Sequence, residues 1–307
     1  MILAAVFIFR KLNDNQNLQN FEQLLGNLSK QKAYLTLAVV FLLMLLNWFF
    51  ESLKWKFLIK SIQQISYWRA IESVFCGLTL AVFTPNRIGE YGGRILFLPV
   101  RRRIFGVIAM AVGAVGQMVV TNVLGAVAIM WFLANYTNLD FWVFYAIVII
   151  AAIYCLFFLL IYFNISFLLS ILNRIKFLKS VRKFFRVLAR YRSGELLTVF
   201  GYSLLRFIVF TSQYCLIINM LVPSIPLFEM VMMILILFFI QSALPSLDLL
   251  DVGVRAMTAT YFFSFITDSE VAIMAATASI WLINLIIPAI LGAAFVFKLN
   301  FFGTNRN

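Results

Sequence analysis

Several apolar runs in this chain are too long for the core of a water-soluble domain of this length. Segments 104–135, 141–163, 196–221 and 271–297 are each at or above the ~20 residues that an α-helix needs to cross a bilayer. Segment 33–50 is slightly shorter and is read as the first convincing span. In lipid every backbone N–H and C=O must find its partner within the protein, so a lone open sheet is excluded. The expected fold is all-α: a polytopic transmembrane helical bundle in one integral membrane domain, residues 1–307. It divides into a first half to about residue 163, a basic cytoplasmic loop at 173–194, and a second half from about 195. Six or seven full spans are expected, with one or two broken ones.

Charge is scarce, at 12% of residues, so its placement is informative. Thr84-Pro85-Asn86-Arg87-Ile88-Gly89-Glu90-Tyr91-Gly92-Gly93-Arg94 sets three ionisable residues inside an apolar region. Arg87, Glu90 and Arg94 fall at i, i+3 and i+7, one stripe of a helix, where Glu90 can pair with both arginines. Pro85 suits the first turn of that helix. Free backbone N–H groups and two guanidinium groups would then face one place, a combination suited to a phosphate. A second stretch, running from Leu244-Pro245 to Arg255, repeats the spacing with Asp248, Asp251 and Arg255. Paired, Pro/Gly-interrupted segments in two halves point to a transporter binding site near the midplane. The plainer alternative is two buried salt-bridge clusters that lock helix breaks. Two short apolar pieces, 70–83 and 95–100, flank the first stretch and fit a re-entrant hairpin.

The rest of the chain gives topology. Trp48 and Trp55 near Lys54 and Lys56 mark a membrane–water interface, followed by a cytoplasmic loop that reaches Arg69. Arg101-Arg102-Arg103 lies on the same side, and uncharged turns near 136–138 and 223–226 lie outside. Residues 1–9 are too short to span, and a short amphipathic helix is expected around 21–25. The formal net charge of +13 follows the positive-inside rule and does not imply a nucleic-acid partner. The basic residues between Arg174 and Arg192 alternate with apolar ones, as in a helix lying on an anionic membrane surface. Arg206, inside a span, needs a counter-charge, and Asp248, Asp251 and Glu229 are the candidates. Glycines 106, 113, 116 and 125 permit close helix contacts.

Histidine is absent, which removes Ser-His-Asp triads and histidine metal sites. Cys76, Cys155 and Cys215 lie in apolar runs and are expected to be free thiols. The chain contains no phosphate-binding P-loop. No catalytic residue, metal or cofactor is expected.

The first motif, with Asn47-Trp48, Glu51 and Lys54-Trp55 upstream, resembles the transmembrane region of lysylphosphatidylglycerol synthases and their stand-alone, flippase-like relatives. Thr84, Pro85, Arg87, Gly89, Glu90 and Arg94 match the family's first motif; Pro245, Gly253, Val254 and Arg255 match its second. The second lacks the usual Gly-Gly before Gly-Val-Arg and has Ala256 where an acid often follows, and Asp251 is placed to supply that carboxylate. The resemblance implies a bacterial cell-membrane protein that binds and translocates a polar-headed lipid, phosphate-containing or aminoacylated. Arg87, Glu90, Arg94, Asp248, Asp251 and Arg255 would bind or gate the headgroup. With its end at Asn307, the chain leaves no room for the synthases' soluble aminoacyltransferase domain, so no enzyme activity is expected. Two alternatives stand beside this. One is a non-transporting scaffold for a separate lipid-modifying enzyme or glycosyltransferase, docked through the basic loop. The other is an intramembrane metal enzyme: Asp248-x-x-Asp251 is loosely similar to the phosphatidyl-alcohol synthase motif, but the glycine and arginine are displaced and the downstream aspartates are missing.

Overall fold

The computed structural model of the protein describes residues 15–26, 28–164, 191–244 and 251–297. The apolar piece 1–9, most of the basic loop, Pro245, Asp248, Lys298 and Arg306 lie outside the described residues. Among the described residues the structure is helical, without strands, and five helices are long and apolar enough to cross a membrane. The chain is an integral, multi-pass membrane protein.

Helix α1 (Asn15–Gly26) is the short amphipathic helix, with Phe21 and Leu24 resting on the core. Helix α2 (Lys30–Ile59) runs well beyond the apolar run that begins it, because no Gly or Pro interrupts residues 30–59. Its extension corrects the expected interface belt: Trp48, Lys54 and Trp55 are 5%, 3% and 1% exposed. They face other helices, and the lysine meets a carboxylate there. The expected loop to Arg69 shrinks accordingly, with Lys54 and Lys56 inside the helix.

Ser66 caps helix α3 (Tyr67–Val82) by accepting a hydrogen bond from the Arg69 N–H. The helix stops ahead of Pro85, since a residue before proline avoids the helical region; Thr84 is extended. A single 3₁₀ turn (Pro85–Arg87) follows, Arg87 takes a left-handed φ of 57°, and helix α4 (Ile88–Ile95) begins. Helices α3 and α4 pack antiparallel. Glycines permit their close approach: Gly93 lies against the backbone of Gly77, and Gly89 against the Leu80 carbonyl.

A 3₁₀ turn (Val100–Arg102) leads into α5 (Arg103–Tyr136). The α5 glycines serve packing in a particular way. Leu98, Leu58, Tyr162 and Phe239 side chains occupy the space beside Gly106, Gly113, Gly116 and Gly125. Helix α6 (Phe141–Phe163) is apolar on all sides and buries only Tyr162, as expected of a peripheral, lipid-facing helix.

Helix α7 (Ser193–Leu221) packs along the length of α2. Helix α8 (Leu227–Ala243) is too short to count as a full span, yet buries a continuous stretch from Met233 to Phe238. Helix α9 (Val252–Phe263) turns back into α10 (Glu270–Trp281), which continues through a π-helical segment (Leu282–Ile286) into α11 (Ile287–Val296). Pro288 offers no N–H to the carbonyl four residues back, that of Asn284, which accounts for the widened turn. Helix α11 returns to α3, where the Thr79 hydroxyl donates to the Ala289 carbonyl at 2.7 Å. The order long, short, short recurs: α2, α3 and α4 have 30, 16 and 8 residues, and α7, α8 and α9 have 29, 17 and 12. Five full spans stand among the described residues, against the six or seven expected, while α3, α8 and α9 are too short to cross alone.

Helices in lipid associate through close packing and polar contacts, without a hydrophobic driving force. A methyl on Gly93 would collide with the Gly77 backbone, whereas one on Gly201 of α7 would meet nothing within 4 Å. Gly93→Ala should therefore lower the melting temperature of the detergent-solubilised protein by several degrees, and Gly201→Ala should leave it unchanged or slightly raise it.

Candidate functional site

Helix α2 presents Asn47, Glu51 and Lys54 at i, i+4 and i+7, hence on one face. That face meets α4 on one side and α7 on the other. The Glu51 carboxylate joins them. Its Oε1 accepts from Arg94 Nη1 at 2.7 Å. Its Oε2 pairs with Lys54 Nζ at 2.7 Å and also with Arg206 Nη1. Arg206 Nε donates to Asn47 Oδ1 at 3.0 Å, and its guanidinium lies 5.1 Å from the Trp48 ring centre.

From Arg94 the chain of charges continues along the first motif. Arg94 Nη2 pairs with Glu90 Oε1, and Arg87 Nε donates to Glu90 Oε2 at 2.9 Å. Glu90 thus pairs with both arginines, as its spacing predicts. Arg87 is not on the α-helix, since its left-handed backbone places it at the N-cap, but its side chain still reaches Glu90. The expected anion-binding helix start is altered too, because the Thr84 hydroxyl already accepts from the Gly89 N–H at 2.7 Å.

Arg206 receives its counter-charge from Glu51. Among the described residues that replaces the candidates Asp251 and Glu229, and the reason is the long α2–α7 contact. Asp251, 4% exposed, is held by Arg255 Nε at 2.5 Å. Arg255 Nη1 also donates to Gln241 Oε1 at 3.0 Å. Asp248 lies outside the described residues.

The two motifs meet across a cavity of about 540 Å³. Arg87, Glu90 and Arg94 line it from the first motif, and Arg255 lines it from the second. Arg206, Lys54 and Glu51 complete its charged lining, while Asp251 stands behind Arg255 and does not line it. Among the described residues the lining therefore holds five cations and two carboxylates. Both oxygens of each carboxylate are already engaged. The arrangement suits an anion that can accept several charge-assisted hydrogen bonds from arginine. Asn47, Glu51 and Lys54 enter the sequence reading only through the family resemblance and the interface signature, which did not place them at the site. Their signal was a carboxylate, an amide and an amine at helical spacing, masked by tryptophans of the kind that mark an interface.

Removing one partner of a buried ion pair leaves the other unpaired, at a cost of about 3–5 kcal/mol. Glu51→Ala should destabilise the protein on that scale in thermal unfolding, and more than Glu195→Ala, whose partner Lys60 is exposed. Combining Glu51→Ala with Arg206→Ala should recover part of the loss.

No curated protein and no solved structure matches the chain. The family described as the lysylphosphatidylglycerol synthase TM region matches residues 2–292, nearly the full sequence, and the chain belongs to that family.

Proposed function

We propose that this protein binds the phosphate-containing headgroup of a membrane lipid in the cation-lined cavity and passes it across the bilayer. The observation that carries the reading is the surplus of arginine and lysine over carboxylate around a cavity among membrane helices. Lys54 and Arg94 are buried and Arg206 and Arg255 partly so, and cations held among membrane helices in excess of acids are costly unless an anion joins them. Membership of a family named for lysylphosphatidylglycerol synthases supports a lipid as the source of that anion. Membership of that family also supports a bacterial cell membrane as the place where the protein acts.

The mechanism follows from the shared carboxylates. Glu51 and Glu90 hold Arg94 when the cavity is empty, and Glu51 also holds Arg206. An entering phosphodiester offers the same guanidinium groups a pair of non-bridging oxygens that can accept in bidentate fashion, and it competes with the carboxylates for them. Exchange of partners would loosen α4 from α2, and α2 from α7, at the place where the two halves meet. Arg255, hinged on Asp251 and Gln241, would take the phosphate from the second half. The recurrence of long, short and short helices supports two arms working against each other, as in transporters built from repeats.

The test is lipid movement in proteoliposomes of the purified protein, using phosphatidylglycerol fluorescent on its acyl chain and a membrane-impermeant quencher. The native protein should speed loss of leaflet asymmetry. Arg94→Gln and Arg255→Gln, checked for folding, should slow it about tenfold or more, the scale of one lost charge-assisted contact. Arg101→Gln, at an exposed position away from the cavity, should behave as native. Equal movement with folded Arg94 and Arg255 variants would refute the reading.

A further inference from the structure

The cavity has a neutral polar wall beside the chain of ion pairs. Gln117 of α5, Gln241 and Ser242 of α8, and Asn284 of the π-helical segment all line it. The side-chain oxygens of Gln117 and Asn284 and the amide nitrogen of Gln241 are buried without a hydrogen-bond partner. Asn284 is 7% exposed, and the widened turn ahead of Pro288 sets it on the cavity. Such atoms are expensive to leave unmade and gain most from a ligand that donates and accepts in turn, as hydroxyl groups do.

The charged wall selects in the other direction. An ammonium group needs a carboxylate oxygen, and among the described residues that line the cavity each oxygen of Glu51 and Glu90 already carries an arginine or lysine. Asp251 is taken by Arg255 and stands outside the lining. An extra positive charge would enter a space already ringed by five cations. Donor capacity for an anion remains, since Arg94 Nε is buried without a partner while Arg94 itself is 3% exposed.

We infer that the cavity selects an anionic phosphodiester headgroup bearing hydroxyl groups, such as phosphoglycerol or a phosphosugar, over a cationic aminoacylated headgroup. The arginines hold the phosphate, and Gln117, Gln241 and Asn284 hold the hydroxyls. This rests on the cavity being the lipid site, as proposed above.

The experiment is native mass spectrometry of the full chain in detergent, offered equimolar lipids that differ only in headgroup. The probes are phosphatidylglycerol, phosphatidylethanol (the same charge without hydroxyls) and lysylphosphatidylglycerol, with glycerol phosphate as a soluble arm. Phosphatidylglycerol should be retained about tenfold over the lysylated lipid, and severalfold over phosphatidylethanol. Gln117→Ala and Asn284→Ala, which leave every ion pair intact, should erase the preference over phosphatidylethanol and keep the preference over the lysylated lipid. Equal or stronger retention of lysylphosphatidylglycerol would overturn the inference while leaving the cavity as a lipid site. An unchanged phosphatidylethanol ratio in both variants would overturn the role of the amide wall. Retention of glycerol phosphate with no lipid would overturn the lipid as ligand, and retention of no probe at all would overturn both this inference and the proposed function.

Discussion

Glu51 is 5% exposed, and an ionised carboxylate at that depth would cost several kcal/mol if it stood alone. It is tolerated because three cations converge on it, one from its own helix, one from α4 and one from α7. Those contacts bind distant parts of the sequence: Arg94 is 43 residues away and Arg206 is 155. With little hydrophobic force to hold helices together in lipid, directional contacts of this kind decide which helices become neighbours. The long packing of α2 on α7 and the seating of the α3–α4 hairpin both meet at this carboxylate.

The same contacts bear a tension that suits a working site. Lys54 and Arg206 compete for one oxygen of Glu51, while an Arg94 donor and three amide atoms around the cavity remain without partners. Ion pairs formed purely to stabilise a bundle would be closed, with donors and acceptors matched. Here the closed part, from Arg87 to Lys54, borders an open volume large enough for a polar headgroup.

Backbone interruptions create that volume. Pro85 ends α3 and allows the charged α4 to fold back, and Pro288 widens the helix at Asn284. The break at Asn284 lies on the cavity, and at the Pro85 break the Thr84 hydroxyl accepts from the Gly89 N–H, so freed backbone groups find partners or a wet lining, the condition under which irregular backbone survives at membrane depth. Glycines at 77, 89 and 93 then bring α3 and α4 close enough for Arg94 to reach Glu51.

The sequence by itself determined the membrane class, the helical fold, the family and the break at Pro85. Those rest on run length, composition and local spacing, which are properties of neighbouring residues. It also foretold the Arg87–Glu90–Arg94 pairing, because residues three and four apart meet on a helix. Only the tertiary structure decided that Trp48, Lys54 and Trp55 face inward, that Arg206 answers to Glu51, and that Arg255 and the first motif share one cavity. A tryptophan beside a lysine has the same local signature whether the helix ends there or continues into a bundle. Which acid neutralises a buried arginine depends on which helices pack together, and that packing is set by contacts separated by more than a hundred residues.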